Sequence, residues 1–282
     1  MQEHFELVPM LSGSYSLRLL PHRETFHPEI GPMAEARLLH VEQQRLKERA
    51  LQEGSLVIWD VGLGAAANAL AALEELAPLP CELTLHSFEI SLSSLHFALE
   101  HAEALSYLLP YRDLLTTLMR DSFAQPRPGV RWYLHEGDVR STMHNVSLEA
   151  PHAIFYDPYS AKTNPEIWSL EHFRALKARL CPERSCQLTN YTRSTAVRAT
   201  LLSAGFFVGQ GVALGSKEES TVASNDRRAL TRPLGPSWLK KVQASQNARL
   251  LREGDTSYGP IEPADLLALA AHPQFAACLP VD

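Results

Sequence analysis

No stretch of this 282-residue chain comes near the ~20 consecutive apolar residues that a membrane-spanning helix needs, although 45% of its residues are hydrophobic. The first twenty residues carry Glu3, His4 and Glu6 and lack a basic run followed by an apolar one, which predicts no signal peptide and, by default, a cytoplasmic protein. Cysteine is scarce. Cys81, Cys181, Cys186 and Cys278 show neither metal-ligand spacing nor a disulfide framework, so we read them as structural or incidental thiols in a reducing compartment. No Ser/His/Asp or Cys/His order supports a hydrolase, and His27, His40, His86 and His135 are too scattered to propose a metal. Internal repeats and low-complexity segments are absent too. A net charge of −6 excludes a surface coated in basic patches, but local charge can still meet nucleic acid. Residues 227–252 in turn lack any acid while holding Arg227, Arg228, Arg232, Lys240, Lys241, Arg249 and Arg252. That segment is open to two readings, a solvated tail or an RNA-facing track.

The length allows one large α/β domain with an appendage, or two small domains. Residues 14–20 alternate loosely and residues 23–26 can return as their hairpin partner. Residues 32–51 read as one helix, with Pro32 in its first turn, Met33, Ala36, Leu39 and Leu46 on one face, and Gly54 as its stop. Strands then alternate with helices. Strands are predicted at 56–59, 82–88, 130–135, 153–156 and 186–191, and helices at 65–76, 170–180 and 194–204, with an interrupted helical region at 91–123 broken by Pro110. Gly205 caps a helix, and 206–208 with 220–223 can close the sheet as a hairpin. Past Ser224 the periodicity fades until a short helix near 263–271. The pattern predicts a doubly wound, Rossmann-like α/β sheet with an antiparallel edge hairpin over residues 56–224. A hairpin-and-helix extension (1–55) precedes it, and a basic extension (225–282) follows.

Two loops carry chemistry. The apolar run 153–156 ends abruptly on Asp157 and enters a polar loop bounded by Pro158 and Pro165, so Asp157 sits at the carboxyl end of a buried strand, where open parallel sheets bind ligands. The other loop, residues 60–68, joins the first strand of the sheet to its first helix and contains Gly62 and Gly64, which let backbone N–H groups approach a ligand. With Ala67 it also fits the G-x-G-x-x-A dinucleotide pattern. Three acids favour a different ligand: Asp60, Glu89 and Asp138 follow successive strands, and they suit a molecule with a sulfonium and amino group, a ribose diol and an adenine amine. S-adenosylmethionine is such a ligand, with Glu89 at its ribose, Asp138 at its adenine and Asp60 toward its methionine end.

These residues also carry a resemblance. Gly13–Ser16, residues 24–27 and 31–35, residues 60–68, Gly137-Asp138, residues 157–168, Asn190-Tyr191-Thr192 with Val197-Arg198, Gly205-Phe206 and residues 215–218 follow in order. Together they resemble the methyltransferase family that completes 5-methylaminomethyl-2-thiouridine at the tRNA wobble position, in its form without a fused flavin oxidase. The resemblance implies an S-adenosylmethionine-dependent N-methyltransferase, with Gly62, Gly64 and Asn68 in the cofactor loop, Glu89 at the ribose, and Asp157 beside the reacting amine. Two departures stand out. Ala66 replaces a frequent third glycine, which is expected to narrow the cofactor loop, and Ile90-Ser91-Leu92 replaces a more usual basic or aromatic residue and proline.

On that reading Tyr159 and Trp168 frame a splayed-out base, although core packing is an equal reading of Trp168. Lys162 and Asn164 contact base or phosphate or else stabilise their loop. Glu35 closes the pocket or is a surface acid; Lys217 and Arg198 reach the RNA backbone. The expected partners are the anticodon region of tRNA and a separate FAD-dependent oxidase, or another wobble-modifying enzyme, that supplies the free amine. Competing readings are a methyltransferase for another amine, small molecule or protein, and a non-catalytic nucleotide- or dinucleotide-binding domain.

Overall fold

The computed structural model describes residues 4–10, 13–22, 24–26, 30–145, 148–255 and 257–276; Glu3, Arg23, His27 and Cys278 lie outside them. In chain order the elements are β1 (Phe5–Pro9), β2 (Tyr15–Leu19), β3 (Glu24–Thr25), α1 (Pro32–Ala36), α2 (Leu46–Glu53), β4 (Ser55–Val61), α3 (Ala67–Leu76), β5 (Glu82–Glu89), α4 (Ser93–Glu100) and α5 (Arg112–Asp121). There follow β6 (Phe123–Arg127), β7 (Val130–Glu136), α6 (Val139–Thr142), β8 (Ala153–Tyr156), α7 (Leu170–Ala178), β9 (Gln187–Asn190), α8 (Thr195–Ser203), β10 (Phe207–Gln210), β11 (Thr221–Ser224), α9 (Pro236–Ala244) and α10 (Pro263–Ala270).

Eight strands form the main sheet in the order β10-β11-β9-β8-β4-β5-β7-β6, and β1-β2-β3 form a separate antiparallel sheet. The central pairs β7‖β5, β5‖β4, β4‖β8 and β8‖β9 are parallel, whereas β11 runs antiparallel between β9 and β10. From β4 the chain winds first toward β5 and β7 and later toward β8 and β9, so the direction switches between β4 and β8. That is the place where such sheets bind ligands.

Strand β4 shows why the sheet is buried on both faces. Alternate residues point to opposite sides: Val57, Trp59 and Val61 enter one core with Ile154, Tyr156, α7 and α8, while Leu56 and Ile58 enter the other with α3, α4 and α5. The hairpin-and-helix extension belongs to the second core through Leu17, Ala36, Val41, Leu46 and Ala50.

The helix expected over 32–51 is interrupted. A π-helical turn spans Arg37–Glu42 and Arg45 adopts φ 52°, so that α2 starts afresh. The widened turn buries three consecutive residues, Leu39, His40 and Val41. It also lets polar side chains bond to the sheet: His40 Nδ1 lies 2.7 Å from Thr189 Oγ1, and Gln44 donates to Thr189 Oγ1 and the Ile154 carbonyl. A uniform amphipathic helix places no three neighbours on one face. Gly54 ends α2 as expected, its amide bonded to the Ala50 carbonyl.

The basic segment is no solvated tail. Leu234, Trp238, Val242, Ala248, Leu250 and Leu251 join the core beside α7 and α8. Buried Gln274 accepts from the Val208 amide and donates to the Val208 and Leu234 carbonyls, covering the edge strand β10.

Candidate active site

The carboxyl ends of β4, β5 and β8 meet by register. Val61 pairs with Phe88 and Tyr156, the Gly62 amide donates to the Phe88 carbonyl, and the Asp157 amide donates to the Val61 carbonyl at 2.9 Å. Both functional loops therefore leave the sheet side by side. Between them opens a cleft of about 520 Å³, of a size with small-molecule sites.

One end of the cleft is backbone and acid. Gly62 (φ +90°) and Gly64 (φ +53°) take the left-handed conformation that glycine favours. A methyl group on Gly62 would lie 2.8 Å from the Asp157 carbonyl oxygen, so only glycine lets the two loops touch. Ala66 is buried at φ 63° and does not line the cleft, so its methyl group does not narrow the loop as expected. Glu89 grips the loop by accepting from the Gly64 amide at 2.9 Å with one oxygen and from Ile90 and Ser91 with the other. Asp138 caps α6, and the Arg140 guanidinium beside it holds its carboxyl below the usual range, hence ionised.

Beside Gly62, Asp157 accepts a 2.8 Å hydrogen bond from the Asn68 amide, so a residue of α3 orients the acid of the β8 loop. Packing around Asp157 pushes its carboxyl up to about 7; the Asn68 bond and the Lys217 charge pull down, and Glu24 pushes up. Lys217 stands 5.3 Å over the Tyr191 ring. The Tyr191 hydroxyl donates to the Pro158 carbonyl.

Of the residues singled out from sequence, Gly62, Gly64, Asn68, Glu89, Asp138, Asp157, Tyr159, Asn164 and Lys217 line this cleft, and so does Glu35. Four sit elsewhere. Asp60 is fully buried beneath the loop, accepting from Ser87, which also receives the Trp132 indole; its strand parity turns it toward the α3 face rather than toward the cleft. Burial, with the Asp157 and Glu89 charges nearby, holds its carboxyl well above the usual range. Trp168 is 1% exposed and donates to the Tyr159 carbonyl, so it supports the loop from below instead of framing a base. Lys162 points to solvent outside the cleft. Arg198, expected at the RNA backbone, is buried and bonded to Thr221, Glu219 and the Ser220 carbonyl, which fixes the loop that carries Lys217.

Glu24, Phe26, Arg140, Glu166 and Tyr191 also line the cleft and were given no role from sequence. The strand-end rule that found Asp157 applies equally to Tyr191, which directly follows β9. Glu24 has no such signal, because a two-residue strand leaves no periodicity. Among the described residues no group of histidines, cysteines and acids could hold a metal ion, and no helix is long and apolar enough to cross a membrane.

A family model described as S-adenosyl-L-methionine-dependent methyltransferase matches residues 109–226. Two curated relatives are named tRNA 5-methylaminomethyl-2-thiouridine biosynthesis bifunctional protein MnmC. That of Cupriavidus metallidurans is 29% identical over 76% of this chain and 33% of its own length; that of Methylibium petroleiphilum is 27% identical over 82% and 36%. The chain thus spans about a third of the length of these relatives. The crystal structure of MnmC2 from Aquifex aeolicus superposes with a TM-score of 0.72 at 24% identity, over 95% of this chain and 84% of that one, and shows the same fold. The cofactor is S-adenosylmethionine, and the cleft fits it: a loop without side chains at Gly62 and Gly64 for close approach, and ionisable acids at Glu89 and Asp138 for hydroxyl and amino donors. In fold, cofactor loop and sequence this chain is thus similar to the S-adenosylmethionine-dependent methyltransferase domain of MnmC proteins.

Proposed function

We propose that the domain methylates the 5-aminomethyl group of the (2-thio)uridine at the tRNA wobble position, giving 5-methylaminomethyl-(2-thio)uridine. One observation carries the reading: Asp157, an acid tuned to about 7, is held by Asn68 of the cofactor-loop helix at the junction of the two loops. S-adenosylmethionine supplies an electrophilic methyl group on a sulfonium. The nitrogen must offer its lone pair in line with the S–CH₃ bond, so a nitrogen–carbon bond forms as the sulfur–carbon bond breaks. An alkylammonium has no lone pair and is mostly protonated at neutral pH. Asp157 accepts the N–H of the incoming amine, takes up the proton shed and passes it to solvent; an acid titrating near neutrality suits both steps. Most of the rate gain comes from holding the two reactants in attack geometry.

In this reading Glu89 receives the ribose hydroxyls and Asp138 the adenine amine, both as carboxylate acceptors on the cleft wall. Tyr159 and Tyr191 offer ring faces and edges to an unstacked base, and Lys217 offers a cation to the backbone. A FAD-dependent oxidase, or another wobble-modifying enzyme, supplies the free amine, and tRNA as substrate implies a cytoplasmic site of action. Replacing Asp157 by Ala tests the proposal on hypomodified tRNA: kcat falls at least ~100-fold, the usual worth of a positioned acid-base group, while cofactor affinity is retained. Wild-type turnover in that variant removes Asp157 from the mechanism.

A further inference from the structure

Glu24 lies on the cleft wall, yet neither the cofactor nor the amine chemistry above gives it a task. It projects from β3, which pairs with β2 through Leu19↔Glu24 and Arg18↔Thr25. Its carboxylate takes three hydrogen bonds from one loop: from the Ser160 amide at 2.7 Å, the Ser160 hydroxyl at 3.1 Å and the Thr163 hydroxyl at 2.7 Å. Bonds to an ionised acceptor are the stronger class. At the tip the backbone bonds are local, the Thr163 and Asn164 amides both returning to the Ser160 carbonyl, while Tyr191 and Trp168 hold the base of the loop at Pro158 and Tyr159. Glu24 therefore anchors the tip of the loop that begins at Asp157.

Phe26, two residues on, touches both halves of the site. Its ring meets Tyr159 edge to face at 5.5 Å, and a methyl group on Gly64 would come within 3.1 Å of it. The Phe26 amide donates to the Leu17 carbonyl, so its height is set by the small sheet. Phe26 thus stands between the cofactor loop at Gly64 and the amine-side loop at Tyr159.

We infer that residues 24–26 couple the two halves of the cleft: Glu24 is a positioning residue that orders the loop 157–164, and Phe26 transmits cofactor occupancy to it. The inference rests on the amine-methyltransferase reading. Loop order supplied in advance lowers the entropy that substrate binding must overcome.

Amide hydrogen exchange on the full chain, with and without S-adenosylmethionine, tests this beside kinetics. In the wild type the cofactor slows exchange at residues 159–164, Ser160 above all. In Glu24→Ala those amides exchange fast with or without cofactor, and KM for hypomodified tRNA rises about tenfold with kcat within ~3-fold, the mark of lost binding rather than lost chemistry. Cofactor affinity without tRNA stays within ~3-fold, which sets a positioning role apart from a failure to fold. Glu24→Gln, whose carbonyl can accept the Ser160 amide, recovers most of the slow exchange. Unchanged Ser160 exchange in Glu24→Ala, or an unchanged KM, overturns the inference. A wild-type protein that binds cofactor but methylates no aminomethyl-uridine overturns the functional reading instead, and the exchange arm then decides on Glu24 by itself.

Discussion

Asp157 is pushed up to about 7 by the protein packed around it, far above the 3.8 of a free aspartate. The folded chain therefore binds more protons than the unfolded one between those values, so this residue's share of stability falls as pH rises across the window. Asp157→Asn removes the titration. Thermal melts of the two proteins are expected to coincide below about pH 4 and to separate at pH 8, with the variant melting higher; equal gaps at both pH values contradict the assignment. The Asn68 bond acts the other way, stabilising the carboxylate. Its removal in Asn68→Ala moves the acidic limb of the kcat/KM profile to higher pH, since a less acidic Asp157 loses its proton later. A limb that stays in place separates Asn68 from the proton-accepting group. Asp157 was legible in the sequence because it stands just past the end of an apolar run, and Asn68 through the resemblance carried by the cofactor loop; their hydrogen bond, across a separation that no local pattern spans, was not.

Among the elements, the turns around the site discriminate most sharply. Gly62 combines φ +90° with a 2.8 Å approach to the Asp157 carbonyl, so Gly62→Ala strains the backbone and forces the two loops apart. We expect cofactor affinity to fall at least ~10-fold, a cost of the size that such strain carries; isothermal titration measures it. Ala66→Gly, by contrast, is expected to leave affinity within ~3-fold, because the methyl group lies in the core and a glycine adopts the same turn. The strands and helices of the main sheet were readable from period and punctuation, Val57-Ile58-Trp59 and the Gly54 stop among them. Others were not. The π turn at Arg37–Glu42 follows from tertiary bonds made by His40 and Gln44, and β1 and β6 add short antiparallel edges that alternate too weakly to separate from loop.

Across the whole molecule, the basic segment is divided between two jobs. Trp238 and its neighbours are core, so Trp238→Ala is expected to destabilise the fold by ~3 kcal/mol in a denaturant titration. Arg249 and Arg252 pair with Glu262 and Asp265. Arg227 and Arg228 follow β11, whose Ser224 pairs with Gln187 at the start of β9, and so lie at the opposite end of the sheet from Tyr191 and the cleft. Reversing their charge is expected to leave tRNA methylation within ~2-fold, whereas Lys217→Glu lowers kcat/KM ~10-fold through lost phosphate contact and a new charge beside Asp157. The segregated charge was plain in the sequence, but its direction relative to the site needed the sheet order. The central claim is the identity of the methylated nitrogen. Purified protein incubated with labelled S-adenosylmethionine and tRNA bearing a free 5-aminomethyl group, followed by nucleoside digestion and mass spectrometry, tests it most directly. Label is expected on the aminomethyl nitrogen of the wobble uridine, entering at least ~100-fold more slowly with Asp157→Ala; label on another nucleoside, or none from the wild type, contradicts the assignment.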